Sequence, residues 1–495
     1  MQKKFVKNLA LLLFLNFLVK PFWILGVDRQ VQNVVGPEEY GFYTAILSFS
    51  FLFFIFLDLG ITNFNNRNIA QNSQLLKKHL AGIGTLKLLL GVSYAAIIIL
   101  IGLLWGYRGR ELYLLAWVGF NQFLLSFILY LRSNISGLLL FKTDSFLSIL
   151  DRLLMIIIVG ILIWTGWLSI NFTIEWFVYA QTIAYSVTAI IALIAVLKKS
   201  GKLRFNWNPV FFIAIIKKSL PFALLVLLMS FYNRIDPVLI KKILPIESGD
   251  YQAGVYAQAF RLLDAGQNFA FLFSVLLLPL FSRMIKDGKP IVDLIKLSFS
   301  ILVTGALIIA ISSAFYSEEI MRIMYDRFDT ETAAQFTSRM SQSSSILTIL
   351  MFSFVAISSN YIFGTLLTAN KSLKTLNWIA FAGLVTNIAV NVLLIPQFMA
   401  IGSAWASLFA QGSTAVLQLW LAKKVFNLEV NYLFFGKFII LIATMVLIGY
   451  LLPMLDLSSW FYSISILASS GLLMAFLLKL LNIRQLILII KSDDL

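Results

Sequence analysis

The sequence predicts an all-α polytopic membrane protein with about fourteen transmembrane helices. Hydrophobic residues make up 60% of the 495 residues, charged residues only 13%, and the mean hydropathy is +0.89, far outside the range of soluble domains. Apolar runs long enough for a bilayer core of about 30 Å recur along the whole chain. These runs lack the polar–apolar alternation of barrel strands, so helices are expected.

The apolar runs give fourteen spans in chain order. They lie at 7–27, 42–62, 80–104, 112–131, 146–166, 173–197, 219–240, 254–281, 294–315, 343–367, 375–396, 400–421, 434–453 and 459–481. The first follows a basic start without a small-residue cleavage site, so we expect a retained helix rather than a signal peptide. The even number of spans puts both termini on one side of the membrane.

Charge gives the orientation of the spans. Most Lys and Arg lie in the loops on the side of the termini, whereas acidic residues favour the opposite loops. The positive-inside rule therefore puts both termini in the cytoplasm. The net charge of +16 is then a signal of topology, and no nucleic-acid partner is expected because no loop is large enough to form a soluble basic domain.

The chain lacks the residues that several kinds of catalysis require. The chain has no cysteine and one histidine, His79, which lies among lysines in an inner loop. We therefore expect no metal site and no bound cofactor. No Gly-x-x-x-x-Gly-Lys sequence is present, so ATP hydrolysis by a P-loop is not expected. The sequence favours a transporter over an enzyme.

The longest inner connection divides the chain. Residues 198–218 place an apolar run between two Lys pairs, which predicts an amphipathic cytoplasmic linker on the inner leaflet. Spans one to six form an N-lobe, 1–197, and spans seven to twelve a C-lobe, 219–421. Residues 422–495 hold two extra C-terminal spans and a cytoplasmic tail.

The two lobes share a short repeated motif. Gly41-x-Tyr43 opens the second span of the first lobe, and Gly254-x-Tyr256 opens the second span of the other. Six spans in each lobe give both copies the same orientation, so we expect a parallel pseudo-repeat about an axis along the membrane normal. Transporters built in this way bind substrate in a central cavity between the repeats.

Four longer stretches are similar to one known family. They are GPEEYGFYTAILSFSFLFFIFLDLGITNFNNRNIA at 36–70, LPFALLVLLMSFYNRIDPVLI at 220–240, AGVYAQAFRLLDAGQNFAFLFSVLLLPLFSRM at 253–284 and NVLLIPQFMAIGSAWASLFAQ at 391–411. Together they resemble the bacterial polysaccharide-biosynthesis flippases, the O-antigen and lipid-linked oligosaccharide transporters of the multidrug/oligosaccharidyl-lipid/polysaccharide (MOP) exporter superfamily.

The resemblance implies a fold and a function. The expected fold is two six-helix lobes around a V-shaped cavity, with two further C-terminal helices. The expected function is export of undecaprenyl-pyrophosphate-linked glycan repeat units of the O-antigen (lipopolysaccharide), capsule or exopolysaccharide type, moved to the outer leaflet by alternating access. A proton or sodium gradient is the expected drive, the chain is expected to be a monomer among membrane lipids, and polymerase or chain-length proteins are candidate partners.

Ionisable residues inside spans are the candidate substrate site, because each charge costs about 2.5–3.5 kcal/mol to insert and needs a partner or a water-filled cavity. Arg234 and Asp236 end span seven, while Arg261 and Asp264 begin span eight, at similar depth below the outer surface. We expect Asp236 to pair with Arg261 and Arg234 with Asp264. These four either attract the substrate pyrophosphate or form a structural ion-pair cluster.

The first lobe offers two further cations. Lys20 precedes Pro21, which is expected to bend span one and to leave the ammonium in the cavity. Arg67 follows span two and is either a cavity residue or an ordinary inner-interface cation. A cation exporter would want an acid in the middle of span one, and the sequence has none between Leu9 and Val27.

Two secondary pairs complete the candidate site. Asp58 lies near the inner end of span two and is expected to pair with Lys87 of span three. Asp151 and Arg152 are adjacent near the inner end of span five. Because neighbouring residues point to different faces of a helix, we expect these two to reach separately towards the interface.

Two other functions stay open from the sequence. One is a cation-coupled drug or metabolite antiporter of the same superfamily. The other is a membrane glycosyltransferase, ligase or polymerase acting on the same lipid-linked sugar, which would need a sizeable outer loop. The longest outer loop, 316–342, is short and is expected to form a small surface helix.

Overall fold

The computed structural model describes residues 16, 18–19, 21–72, 74–138, 140–164, 172–200, 207–429, 431–455 and 459–481. In these residues every regular element is a helix, and nine of the helices are long and apolar enough to cross a membrane. The predicted all-helical membrane fold is therefore confirmed. Residue contacts divide the chain into two compact units, Met1–Gly254 and Val255–Leu495. The lobe boundaries predicted from the linker stay a prediction.

The described residues of the first unit form eight complete α-helices and the start of a ninth. They are α1 (Arg29–Leu52), α2 (Ile61–Gln71), α3 (Leu75–Trp105), α4 (Arg110–Gly137), α5 (Phe141–Trp164), α6 (Ile174–Ser200), α7 (Pro209–Arg234), α8 (Asp236–Ile243) and α9 (Ile246–Lys286). A π-helical turn, Trp23–Asp28, runs directly into α1. Buried aliphatic side chains of α2, α3, α4 and α5 form one apolar core.

The observed helices differ from predicted spans one and two on either side of α1. Span one continues past residue 27, and the chain turns at Gly36, whose φ of 84° favours glycine. Span two is interrupted: α1 ends at Leu52, a 3₁₀ turn follows at Phe54–Leu57, and α2 begins only at Ile61. The apolar run through this region gives no periodicity that would reveal the interruption.

Helix α7 begins before predicted span seven. Asn208 caps its start by accepting a hydrogen bond from the Phe211 amide at 3.0 Å, and Pro209 occupies the first turn. The helix continues without interruption to Arg234. The second half of the predicted linker 198–218 is therefore continuous with span seven, while residues 201–206 lie outside the described residues.

The second unit holds the rest of α9 and five further helices. They are α10 (Val292–Met324), α11 (Ala333–Ala369), α12 (Leu373–Phe426), α13 (Tyr432–Leu451) and α14 (Trp460–Leu477). The helix α12 contains predicted spans eleven and twelve, separated by a kink at Met399, whose φ is 52°. The last two helices pack on α10 through a buried apolar cluster that includes Leu307, Leu441 and Leu467.

The loop predicted at 316–342 is mostly helical. Tyr316 interrupts α10, which then continues to Met324. A capping box of Thr332 and Gln335 starts α11. Helical structure therefore extends into this loop from both sides, and the small surface helix expected from the sequence stays a prediction.

Candidate functional site

Asp58 and Lys87 form an ion pair at the interruption of span two. The Lys87 ammonium, 1% exposed, bonds the Asp58 carboxylate, the Leu57 carbonyl at 2.9 Å and the Ser126 hydroxyl at 3.0 Å. Asp58 is 18% exposed and also accepts from the Thr62 amide at 3.2 Å. The predicted pairing is confirmed. Its charges are closely satisfied, as a buried ion pair requires.

Asp151 and Arg152 also pair with each other, so the expectation that they reach separately towards the interface is wrong. The Arg152 guanidinium lies 3.3 Å from the Asp151 carboxylate and donates to the Tyr185 hydroxyl at 3.0 Å. It also lies over the ring of Trp23, 5.7 Å from the ring centroid. The long, flexible side chain folds back across its neighbour because aromatic rings on two other elements cover it.

Arg234 and Asp236 flank the junction between α7 and α8. Arg234 ends α7, and its guanidinium lies over the ring of Phe51, 5.3 Å from the centroid. Asp236 is 1% exposed and occupies the first turn of α8, where the partial positive charge of the helix N-terminus favours a carboxylate. The short break at Ile235 is what separates the two charges onto different helices.

Arg261 and Asp264 lie one turn apart on α9. Their charged groups approach to 3.9 Å, and both side chains are partly exposed. The expected cross-pairs, Asp236 with Arg261 and Arg234 with Asp264, join residues of the two separate units and stay predictions. Of the remaining cations, Lys20 lies outside the described residues. Arg67 lies on α2, and its side chain is not among those described.

Asp28 is a buried carboxylate that the sequence reasoning passed over. It is 1% exposed, and it accepts hydrogen bonds from the Tyr40 hydroxyl at 2.9 Å and the Gln32 amide at 3.1 Å. The predicted end of span one at residue 27 put it in a loop. The helical turn Trp23–Asp28 instead continues span one through this position, so the first helix does carry a buried acid.

A cluster of ion pairs surrounds the start of α4. Arg110 lies between Glu39 and Glu175, at 2.6 Å and 2.7 Å, and Lys241 lies between Asp250 and Glu111, at 2.6 Å and 3.2 Å. Both cations also lie under 5 Å from the ring centroid of Phe42. Burial raises the pKa of Asp250, which outweighs the opposite effect of Lys241. The charges lie on helices that are far apart in the sequence, so no spacing in the sequence reveals the cluster.

The two Gly-x-Tyr sequences meet within this cluster. A Cβ atom on Gly41 would lie 1.8 Å from the Asp250 carbonyl oxygen, and one on Gly254 would lie 1.8 Å from that of Pro37. Each glycine thus faces the residue four positions before the other. This reciprocal contact has the local two-fold relation that a parallel repeat would produce.

Arg339 is a fully buried guanidinium of the second unit. Arg339 has a side-chain exposure of 0% and makes two hydrogen bonds of 2.9 Å to Glu331 and one of 2.9 Å to the Asp326 carbonyl. Its aromatic neighbours, Phe328 and Phe336, lie within 6 Å of the guanidinium. The fork of Arg339 therefore fastens the start of α11 to the preceding loop.

Potential metal-ligating side chains lie apart in the part of the chain that the structure describes. Within those ranges no three His, Cys, Asp or Glu side chains come together in a group able to hold a metal ion. The amide of Asn360 on α11 donates to Gln411 on α12 at 3.1 Å and so joins two helices, whereas Ser403 donates to Asn391 at 2.6 Å across the kink within α12.

These features define a class of protein. Ionisable groups are held in pairs inside long apolar helices, which makes the chain a multi-pass membrane protein with charges at membrane depth. Residues 5–285, more than half of the chain, match the family described as polysaccharide biosynthesis protein. The chain therefore belongs to this family.

Solved structures similar to the chain show the same fold. The lipid II flippase MurJ, in an inward closed conformation, is 17% identical with a TM-score of 0.71, and the match covers 97% of this chain and all of MurJ. An inward-facing MATE family multidrug transporter of the MOP superfamily is 15% identical, with a TM-score of 0.63 over 84% of this chain and 97% of its own. A MOP superfamily transporter from Pyrococcus furiosus is 15% identical, with a TM-score of 0.55 over 86% and 95%.

No curated protein matches the chain. At these identities the structural matches establish the fold alone, and they do so over nearly the whole length. The predicted MOP-type fold is thus confirmed.

Proposed function

We propose that this protein is a flippase that moves undecaprenyl-pyrophosphate-linked glycan repeat units from the cytoplasmic to the outer leaflet of the bacterial inner membrane. The observation that carries the proposal is membership of the polysaccharide biosynthesis family together with a fold shared, over 97% of the chain, with a lipid II flippase. The glycan repeat unit would be of the O-antigen, capsule or exopolysaccharide type.

The substrate's diphosphate is the part that arginine recognises best. A guanidinium presents donors in a fork that matches phosphate oxygens, and it stays charged in any protein environment. Arg152, Arg234 and Arg261 lie inside or at the ends of apolar helices, and Lys20 and Arg67 would add further cations. In this proposal the neighbouring carboxylates, Asp151 and Asp264, hold the arginines in place and keep the diphosphate from binding too tightly to leave.

Movement of the substrate would follow from alternating access. The N-lobe, 1–197, would rock against the C-lobe, 219–421, with the diphosphate and sugars in the polar cavity and the lipid tail outside. A proton or sodium gradient would drive the cycle. Polymerase or chain-length proteins would take up the exported repeat unit.

The test is translocation of an undecaprenyl-diphosphate-linked glycan in proteoliposomes, comparing the native chain with Arg234→Ala and Arg261→Ala. A charge-assisted hydrogen bond is worth about 1.5–3 kcal/mol, so each variant should be slower by about ten- to a hundredfold. Arg322→Ala is the matched control, because Arg322 is exposed on α10, where it pairs with Glu318 one helix turn away. Native rates in both variants, with normal folding, would move the substrate path towards Lys20 and Arg67.

One observation favours a second candidate, a cation-coupled antiporter. Asp28 supplies the buried acid in the first helix that such a transporter would want, and the fold is shared with a MATE family transporter. Uptake of a cationic dye into the same proteoliposomes distinguishes the two. Dye transport that is lost in Asp28→Asn, without glycan-lipid movement, would support the antiporter.

A further inference from the structure

The Asp58 and Lys87 pair lies at a break in a membrane-spanning segment, and the proposed diphosphate site does not use it. Helix α1 ends at Leu52, and Leu59 and Gly60 take positive φ values of 47° and 78° before α2 begins. Gly60 lies against the backbone of Ser219 on α7, where an added Cβ would approach the Ser219 carbonyl oxygen to 2.7 Å. The break is therefore a fixed feature of the packing. It contains the Asp58 carboxylate.

The break frees a backbone carbonyl beside that carboxylate. In a continuous helix the Leu57 carbonyl would accept from the Ile61 amide. Here the Ile61 amide donates to the Asp58 carbonyl at 2.8 Å, and the Leu57 carbonyl accepts from Lys87 at 2.9 Å and from Ser126 at 3.1 Å. A carboxylate, a carbonyl and a hydroxyl oxygen thus converge on one point, which is how broken helices in transporters hold a coupling cation.

The cation at that point is the Lys87 ammonium itself. An ammonium has three donors, and all three are used, by Asp58, Leu57 and Ser126. A sodium ion would need the same oxygens and would meet the positive charge already there. A proton needs only the carboxylate, and Asp58 is the exposed member of the pair, at 18% against 1% for Lys87.

Other described ionisable groups on the packed helices already have partners elsewhere. Tyr94, two turns from Lys87 on α3, bonds Ser50, and Tyr130 of α4, one turn from Ser126, bonds the Leu80 carbonyl. Among further ionisable side chains of these helices, His79 bonds Asn68, Arg132 pairs with Asp144, Arg234 lies over Phe51, and Lys77 and Lys217 are exposed. Arg67 lies on α2 with a side chain that is not described. Asp58 is thus the described carboxylate that balances Lys87.

We propose that Asp58 binds the proton that couples transport to a proton gradient, and that Lys87 is the fixed cation it releases on protonation. The inference rests on the transport function proposed above. A proton from water forms an O–H bond on an Asp58 carboxylate oxygen as the hydrogen bond from Lys87 breaks. The proton returns to water on the other side when the pair re-forms, and Lys87 keeps its three protons throughout.

Protonation has a mechanical consequence. A neutral Asp58 leaves the Lys87 charge buried without its counter-charge, which is unfavourable in an apolar surrounding. The chain nearest to that charge is the break at residues 53–60, where the helical hydrogen bonds are already interrupted. Binding of the proton therefore favours a rearrangement of the break, and through Gly60 it acts on α7.

The first experiment measures protonation without any transport. Infrared difference spectra of the purified full chain between pH 8 and pH 5 should show a carboxylic acid signal that Asp58→Asn lacks. Asp287→Asn, which removes an exposed carboxylate paired within its own turn, should keep the signal. A spectrum unchanged by Asp58→Asn would overturn the proposal.

The second experiment measures coupling. One pH unit across the membrane is worth about tenfold for one coupled proton, so native accumulation of the glycan lipid should rise by up to about that factor and persist when choline replaces sodium. Asp58→Asn alone leaves Lys87 unpaired, so Asp58→Asn/Lys87→Gln, which removes both charges, keeps the test independent of misfolding. In that variant, when folded, the distribution of the glycan lipid should no longer respond to the pH gradient.

The outcomes separate the two proposals. A full response to the pH gradient in the folded double variant, or a requirement for sodium in the native chain, would refute coupling at Asp58. If the native chain moves no glycan lipid at all while the infrared signal of Asp58 is present, the flippase function fails and the proton site stands.

Discussion

The contact between Gly41 and Gly254 allows no side chain, and an alanine at position 254 tests it. The new Cβ atom would lie 1.8 Å from the Pro37 carbonyl oxygen and 2.5 Å from its carbon, both backbone atoms that cannot rotate away. Carbon and oxygen in contact need about 3.3 Å, so the backbones would have to separate by roughly 1.5 Å. Overpacking of this kind costs about 1–3 kcal/mol, and a backbone clash belongs at the upper end.

The assay is thermal unfolding of the purified full chain in detergent. If the first unit unfolds cooperatively, about 3 kcal/mol corresponds to a fall of roughly 6–12 °C in Tm. Gly84→Ala is the control, because Gly84 lies in the interior of α3 and an added Cβ there meets nothing within 4 Å. That variant should be unchanged or slightly stabilised, since alanine is favoured over glycine in a helix by up to about 1 kcal/mol.

The reciprocal geometry adds a sharper condition. One separation of the backbones would make room for both side chains, so Gly41→Ala/Gly254→Ala should lose less than the sum of the single losses. A Gly254→Ala protein that melts with the native chain would refute the close approach. Fully additive losses would refute its reciprocity.

Two further predictions concern charged groups. Arg339→Ala leaves the buried Glu331 carboxylate without its partner, so it should lower the free energy of unfolding by about 3–5 kcal/mol. The exposed Arg322→Ala should lower it by less than about 1 kcal/mol. Equal melting temperatures of the two variants would contradict the buried pairing. Burial raises the pKa of Asp250, so its contribution to stability is full below the ordinary value of about 4 and is lost as pH rises through the folded-state pKa. The Tm of Asp250→Asn should therefore fall less than the Tm of the native protein as the pH rises. Parallel plots of Tm against pH for the two proteins would show that burial of Asp250 is not the cause.

Hydropathy predicts most of the helices because the bilayer requires both length and apolar composition. The kink at Met399 falls between predicted spans eleven and twelve, and the pairing of Asp58 with Lys87 follows from their depth alone. The repeated Gly-x-Tyr also marks a real contact, between Gly41 and Gly254, although the sequence shows only the repeat.

The features that could not be predicted from the sequence depend on local backbone geometry and on the contacts of long side chains. The break at residues 53–60 lies in a stretch that is apolar apart from Asp58 and Gly60, so hydropathy does not reveal it. Asp28 was placed in a loop because hydropathy falls before the helix ends. Arg152 contacts its neighbour Asp151 because Trp23 and Tyr185 fold the side chain back, and such tertiary contacts have no signature in spacing.

The class of substrate is tested most directly by the movement of a lipid-linked glycan from one leaflet to the other. Proteoliposomes of the native chain would carry an undecaprenyl-diphosphate-linked glycan in both leaflets, and a membrane-impermeant glycosidase would report how much glycan reaches the outside. We predict that the protein makes the inner-leaflet pool accessible and that it does not transport a cationic dye. Dye transport with an inaccessible inner pool would contradict the flippase and would leave a MOP-type antiporter in its place.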